Sequence, residues 1–252
     1  MTARYELPPG TALRVTASSG DVTVIAEARP DVEAPEDTRV QAPAGKGAKD
    51  EQGSDFVQGQ QDHGPFLEIR SPRGGSADLE VRCPSGTPIS VGTISGDVRL
   101  IGDFGSTRVA TTSGDISVGS AAALDARSVS GDLDVETCNG RCELHTKSGH
   151  IQLGDSGPVK ADTVSGGVRL RDTAGGVTVR TVSGNVELGT DGSEAVTIRT
   201  VSGRIVVRVP RERLPDARLR SLSGSIECNC PLGSDFPLRI TSVSGEIEVE
   251  PS

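Results

Sequence analysis

The sequence predicts an all-β fold, a parallel β-solenoid of about nine coils of 17 to 21 residues with two short strands per coil. Three observations predict it. Ser-Gly pairs recur with their glycines at Gly96, Gly114, Gly131, Gly149, Gly166, Gly184, Gly203, Gly224 and Gly245. Apolar residues occupy columns two and four residues after each glycine, as in Ile151 and Leu153, Val186 and Leu188, Ile247 and Val249. That alternation belongs to a strand with one buried face. The composition supplies the third: 32 Gly, 15 Pro, no Trp and 2% aromatic residues in 252 leave a thin Val/Ile/Leu core as the one that can be built.

Along the chain, residues 1–29 hold two strand-like runs, LRVTA and DVTVIA, with an early Ser-Gly pair ending at Gly20, and read as N-terminal strands or a cap of the solenoid. Residues 30–64 are rich in Pro, Gly, Asp, Glu, Gln and Lys, bury too little to order themselves, and are expected to be a flexible insertion. Two further strands, FLEIRS and ADLEVRC, open the array that fills residues 65–252. Within each coil a second strand precedes the glycine, marked by apolar residues seven and five positions before it, such as Val177 and Val179 or Leu238 and Ile240. Val164, Val182, Val201, Leu222 and Val243, two before the glycine, are out of phase with that pair, which predicts a bend or bulge. One coil alone cannot offset the entropy of ordering it. Coils therefore stack about 4.8 Å apart, sharing hydrogen bonds and core.

Charge narrows the partners. With 35 acidic against 26 basic residues the net charge is -9, which repels a phosphate backbone, so nucleic acid is not expected. No run approaches the roughly 18 apolar residues of a membrane span, and the N-terminal residues lack a basic segment followed by an apolar one. Together with an odd number of cysteines, five, this gives a cytoplasmic expectation, with membrane association only through a partner. Arg180 and Arg199 should stack, with Arg220 in the next coil. These three, with Arg204 and Arg208, form the candidate interaction surface for a protein partner or an anionic envelope surface.

Other constellations read as architecture. Thr or Ser three before each glycine and Ser one before it should form hydroxyl ladders. Asp21, Asp97, Asp115 and Asp132 should stack, and carboxylates about 5 Å apart need either a cation row or hydrogen bonds from turn amides. Later copies replace them by His150, Gly167, Asn185 and Arg204, which favours the amides. Cys138 with Cys142 and Cys228 with Cys230 suggest metal, but the pairs lie about five coils, roughly 24 Å, apart, and core packing is the reading preferred. No cofactor or metal is expected. Asp132 with Asp134, near His145 and His150, is the nearest imitation of a catalytic pair, and with so few aromatic side chains to stack on a sugar an enzyme is not expected. The final strand, EIEVE, should form an end guarded by Glu246, Glu248 and Glu250, giving a monomer or weak self-association.

The succession LPPGTALRVTASSGDVTV, a low-complexity gap, ADLEVRCPSGTPISVGTISGDVRL and tandem TVSGxV units resembles the bacterial DUF4097-type β-strand repeat family of candidate adhesins, related to the toastrack domains of phage-shock and envelope-stress systems. The resemblance implies a non-catalytic binding or scaffold role with an envelope connection and transfers no catalytic residue. A bactofilin-like self-assembling polymer is the alternative reading, and a polysaccharide-active enzyme a distant third.

Overall fold

The computed structural model describes residues 2–7, 10–35, 39–41, 66–71 and 78–252, and every regular element among them is a strand. The first seven are β1 (Thr2–Glu6), β2 (Ala12–Thr16), β3 (Val22–Glu27), β4 (Asp31–Pro35), β5 (Arg39–Gln41), β6 (Phe66–Arg70) and β7 (Leu79–Pro84). The array continues with β8 (Ile89–Gly92), β9 (Val98–Ala110), β10 (Ile116–Ser130), β11 (Leu133–Cys138), β12 (Cys142–Ser148), β13 (Ile151–Ser156), β14 (Val159–Ser165) and β15 (Val168–Thr173). It closes with β16 (Val177–Arg180), β17 (Val186–Thr190), β18 (Val196–Arg199), β19 (Ile205–Val209), β20 (Pro215–Ser223), β21 (Ile226–Cys228), β22 (Phe236–Ser244) and β23 (Ile247–Pro251). Residues 31–35 and 39–41, assigned by composition to the insertion, are thus strands; residues 42–65 lie outside the described residues.

The fold is a parallel β-solenoid of about nine regular turns with added coils at its ends. Strands that enter the Ser-Gly turn stack in one column and strands that leave it in another. The leaving column runs β7, β3, β9, β10, β11, β13, β15, β17, β19, β23, β21, every neighbour parallel. The entering column runs β6, β2, β8, β9, β10, β12, β14, β16, β18, β22, β20. At both ends, coil order departs from chain order. The coil of β2 and β3 lies inside that of β6 and β7, and the last coil, β22 and β23, lies inside that of β20 and β21. The end expected at EIEVE is therefore formed by β20 and β21, and β23 is an interior strand.

Glycine makes the turn possible. Gly149 has φ of 152°, and a Cβ there would stand 2.1 Å from the carbonyl oxygen of Gly131 in the coil below. The same contact recurs at Gly96, Gly114, Gly131, Gly166, Gly184, Gly203, Gly245 and Gly224, so the turns rest glycine on glycine.

The core is one continuous cluster of Val, Ile, Leu, Ala and Cys, with Phe104 and Phe236 as its buried aromatics. The expected phase change before the turn does not occur. In β14 the burial alternates through Val159, Ala161 and Thr163, leaving Val164 exposed. The chain does bend two before the glycine in several coils, as at Ile94, Val182 and Val201, but the in–out alternation carries through it, so the inward position three before the glycine, next to turn backbone, carries Thr or Ser. The apolar residue after it points outward. The hydroxyl ladder is correspondingly sparse: Thr146 donates to the Gly131 carbonyl at 3.3 Å, Thr200 to that of Ser202 at 3.1 Å and Ser221 to that of Gly245 at 3.2 Å. Thr93, Thr111, Ser128, Thr163, Thr181 and Ser242 make no hydroxyl bond within the described residues. Coil-to-coil bridges in this column are made by the backbone, as at Ser165 with Ser183 and Ser183 with Ser202.

Candidate interaction face

Outward positions on the entering strands lie six, four and two residues before each glycine, and together they tile one flat face. Near the C-terminal end this face gathers arginines. Arg180 stands beside Arg199, as the column spacing predicts. Arg220 does not follow in the next coil, because the inserted β22 places Thr241 between it and Arg199. The same insertion sets Arg239 between Thr197 and Arg218. Five arginines thus share the face with the threonines of the same columns. Asp216 lies 3.5 Å from Arg218 and Asp162 lies 4.0 Å from Arg180. Among the described residues, Arg199, Arg220 and Arg239 have no carboxylate within ion-pair distance.

Arg204 and Arg208 belong elsewhere. They project from the leaving column and are neutralised by the final strand: Arg204 meets Glu246 at 3.5 Å and Glu248 at 2.6 Å, and Arg208 meets Glu250 at 2.9 Å. The glutamates expected to guard an open end instead fasten β23 to β19. Sequence spacing identified Arg180, Arg199 and Arg220; Arg218 and Arg239, each six before its glycine, were legible on the same face from the strand alternation but were missed, and coil order decides only which of the five are neighbours.

Beside the arginines runs an apolar ridge. Val164, Val182, Val201, Val243 and Leu222 occupy successive coils, each 45% exposed or more. Exposed Ser165, Ser183, Ser202, Ser244 and Ser223 flank it at the turn. Toward the N-terminal end the same face becomes an ion-pair network. Asp125, Glu143 and His145 offer three ligand atoms within 4.8 Å of one another. Their surroundings are cationic: Arg127 lies 2.9 Å and Arg108 3.4 Å from Asp125, and Arg141 bonds Glu143 and holds its carboxyl below the usual range. His145 contacts Asp162 at 3.1 Å through Nδ1. Arginines around the carboxylates already supply the charge that a metal would bring.

The aspartate ladder is a backbone device. The amides of Asp97, Asp115, Asp132 and His150 each donate to the carboxylate one coil below, from Asp21, Asp97, Asp115 and Asp132, at 2.7 to 3.0 Å. His150 continues it, its Nδ1 accepting the Gly167 amide at 3.0 Å, and Asn185 accepts the amide of Arg204. Each carboxylate is offset by a turn N–H, so stacking needs no cation row. Asp132, the nearest candidate for acid–base work, is committed to His150.

Four of the five cysteines are buried, as core packing requires, but Cys228 is exposed because its coil is the last. Burial pushes the Cys83 thiol up to about 11, and burial with the neighbouring Cys228 does the same for Cys230. Cys142 is held above its ordinary value by its buried neighbour Cys138. Five strand steps separate β12 from β20, so the two pairs cannot share an ion.

Surface hollows are shallow grooves rather than clefts. One of about 620 Å³ runs along Arg14, Phe66, Arg108, Asp125 and Arg127, with Arg14 stacked over Phe66 at 4.5 Å. Another, of about 800 Å³, passes Arg171, Asp172 and Arg208. No helix among the described residues is long and apolar enough to cross a membrane.

A solenoid whose outer columns repeat the same side chains at strand spacing belongs to the class of repeat proteins that present extended surfaces. Residues 140–234 match the family model described as Toastrack DUF4097. Among solved structures, a candidate adhesin from Parabacteroides distasonis is similar at 12% identity and a TM-score of 0.53, over 100% of this chain and 96% of that one. A candidate adhesin from Bacteroides fragilis has the same identity and coverage with a TM-score of 0.43. The first likeness establishes the fold and nothing about activity. No curated protein matches the chain in sequence.

Proposed function

We propose that this chain is a non-catalytic binding and scaffold module that docks on an anionic surface of the cell envelope through the arginine face of its entering strands. The observation that carries this is the cluster of Arg180, Arg199, Arg218, Arg220 and Arg239 on a chain of net charge -9. Such a local patch reverses the mean field and selects an anionic partner. The valine ridge beside it favours a lipid surface, since apolar side chains can enter the headgroup region while guanidinium groups meet phosphates. Free thiols at all five cysteines support a cytoplasmic location, where the inner leaflet supplies anionic lipid. The candidate-adhesin description of the Parabacteroides distasonis structure fits an envelope connection, and a role in envelope stress would follow from occupancy of that surface. A polymer of the bactofilin kind is disfavoured because one end of the solenoid is closed. Catalysis is disfavoured because the repeated carboxylates are already engaged in ladders and ion pairs.

Co-sedimentation with phosphatidylcholine vesicles, with and without about one third phosphatidylserine, tests the reading. The protein should bind the anionic vesicles, less so as salt rises. Combined Arg199→Glu, Arg220→Glu and Arg239→Glu should weaken binding more than about tenfold, whereas Arg204→Gln should not. Failure to bind, or binding indifferent to the triple substitution, would sink the proposal.

A further inference from the structure

The two ends of the solenoid are finished differently. At the N-terminal end β7 is paired antiparallel by β4 and β6 by β5, and β1 extends the cover by pairing with β4. Val32 and Ala34 of β4 are buried, and Leu67, Ile69, Leu79, Val81 and Cys83 of the end coil are sealed. At the other end β20 pairs with β22 and β21 with β23, and among the described residues no strand lies on their outer edges. The inward positions stay open: Ala217 and Leu219 are only partly buried, Ile226 is 43% exposed and Cys228 is exposed, with Leu222 beside them 85% exposed. The end therefore offers unpaired strand N–H and C=O groups around an uncovered apolar core, which is the chemistry that another strand edge satisfies.

We infer that this end takes a second copy of the same chain, joined tail to tail about a two-fold axis by antiparallel pairing of β20 with its copy. Head-to-tail growth would need two open ends, and the N-terminal end is closed, so the contact is isologous and stops at a dimer. The charges on β20 choose the register. Centred on Leu219, the pairing would set Arg218 of each copy against Arg220 of the other, which like charges directly opposite disfavour. Centred on Ala217, it sets Asp216 of each copy against Arg218 of the other. The axis also brings the open apolar ends together, Ile226 and Leu219 included. This inference is independent of the lipid-docking reading.

Sedimentation velocity of the full chain from about 1 to 100 µM, with circular dichroism to confirm folding, tests it. A dimer should appear within that range and nothing larger. Ile226→Lys should weaken it more than about tenfold, as should Asp216→Arg, while Asp216→Arg combined with Arg218→Asp should restore it. A monomer throughout, a species larger than a dimer, a dimer indifferent to Ile226→Lys, or a double reversal as weak as the single change would each overturn the inference.

Discussion

Gly149 shows how one residue type fixes the coil path. Its positive φ and the 2.1 Å approach of the Gly131 carbonyl leave no room for a side chain; the close approach recurs at the other turns, and the positive φ at all of them but Gly184 and Gly245. Gly149→Ala should therefore cost more than about 3 kcal/mol, because the added methyl meets backbone that cannot yield without shifting a neighbouring coil. Gly92 supplies the control, since nothing stands within 4 Å of a Cβ there, and Gly92→Ala should stay within about 1 kcal/mol. Urea unfolding of the two variants would decide it, and similar midpoints would refute the turn argument. The valines two before each glycine teach the opposite lesson. Column spacing predicts a change of phase at them, whereas the strand's unbroken alternation turns them outward and puts threonine inside.

At the scale of elements, β4 shows why composition was a poor guide to residues 31–35. Its order comes from tertiary contacts: Val32 and Ala34 close the end of the core, and Arg29 lies 3.0 Å from Asp31 and 2.9 Å from Glu33. The hydrogen bond from Arg29, with help from the charge of Arg4, holds the Asp31 carboxyl below its usual range. A carboxyl lowered in the folded state contributes stability that is present above its unfolded pKa, near 3.9, and lost as pH falls through the lower folded value. Amides of β4 should accordingly lose hydrogen-exchange protection below about pH 4, before those of the central coils. Arg29→Gln should remove much of that protection already at neutral pH. An unchanged acid response in the variant would show that the cap is held by other contacts.

The whole molecule is stitched at both ends. Each outermost coil is followed or preceded in the chain by one that lies inside it, so fraying at an edge does not simply peel the chain from its terminus. Truncation after Gly245, which removes β23, is a test. Simple sequence-order stacking would lose one end strand at small cost. In this structure the cut opens a gap between β19 and β21, exposes Ile205 and Val207, and frees Arg204 and Arg208 from their glutamates. The loss should exceed about 4 kcal/mol by urea unfolding, whereas Glu250→Gln, which removes one half-buried ion-pair partner near the surface, should cost less than about 1 kcal/mol. A truncated protein as stable as the full chain would contradict the coil order.

By itself the sequence determined the solenoid, its repeat length, its core columns and the stacking of Arg180 on Arg199, because these follow from local periodicity and every coil repeats the same restraint. It also carried the aspartate ladder, whose carboxylates needed a partner that the turn amides provide. The tertiary structure decided which coils are neighbours at the ends. Interchangeable strands with the same apolar alternation fit any level of the stack, so periodicity cannot say that β22 and β23 slip inside β20 and β21. That choice set Arg239 beside Arg218, put Thr241 between Arg199 and Arg220, laid Glu248 and Glu250 against Arg204 and Arg208, and left β20 rather than EIEVE at the open edge. The physical reason is that column spacing encodes position along a strand, whereas the order of strands is set by end contacts and loop closure between residues far apart in the chain.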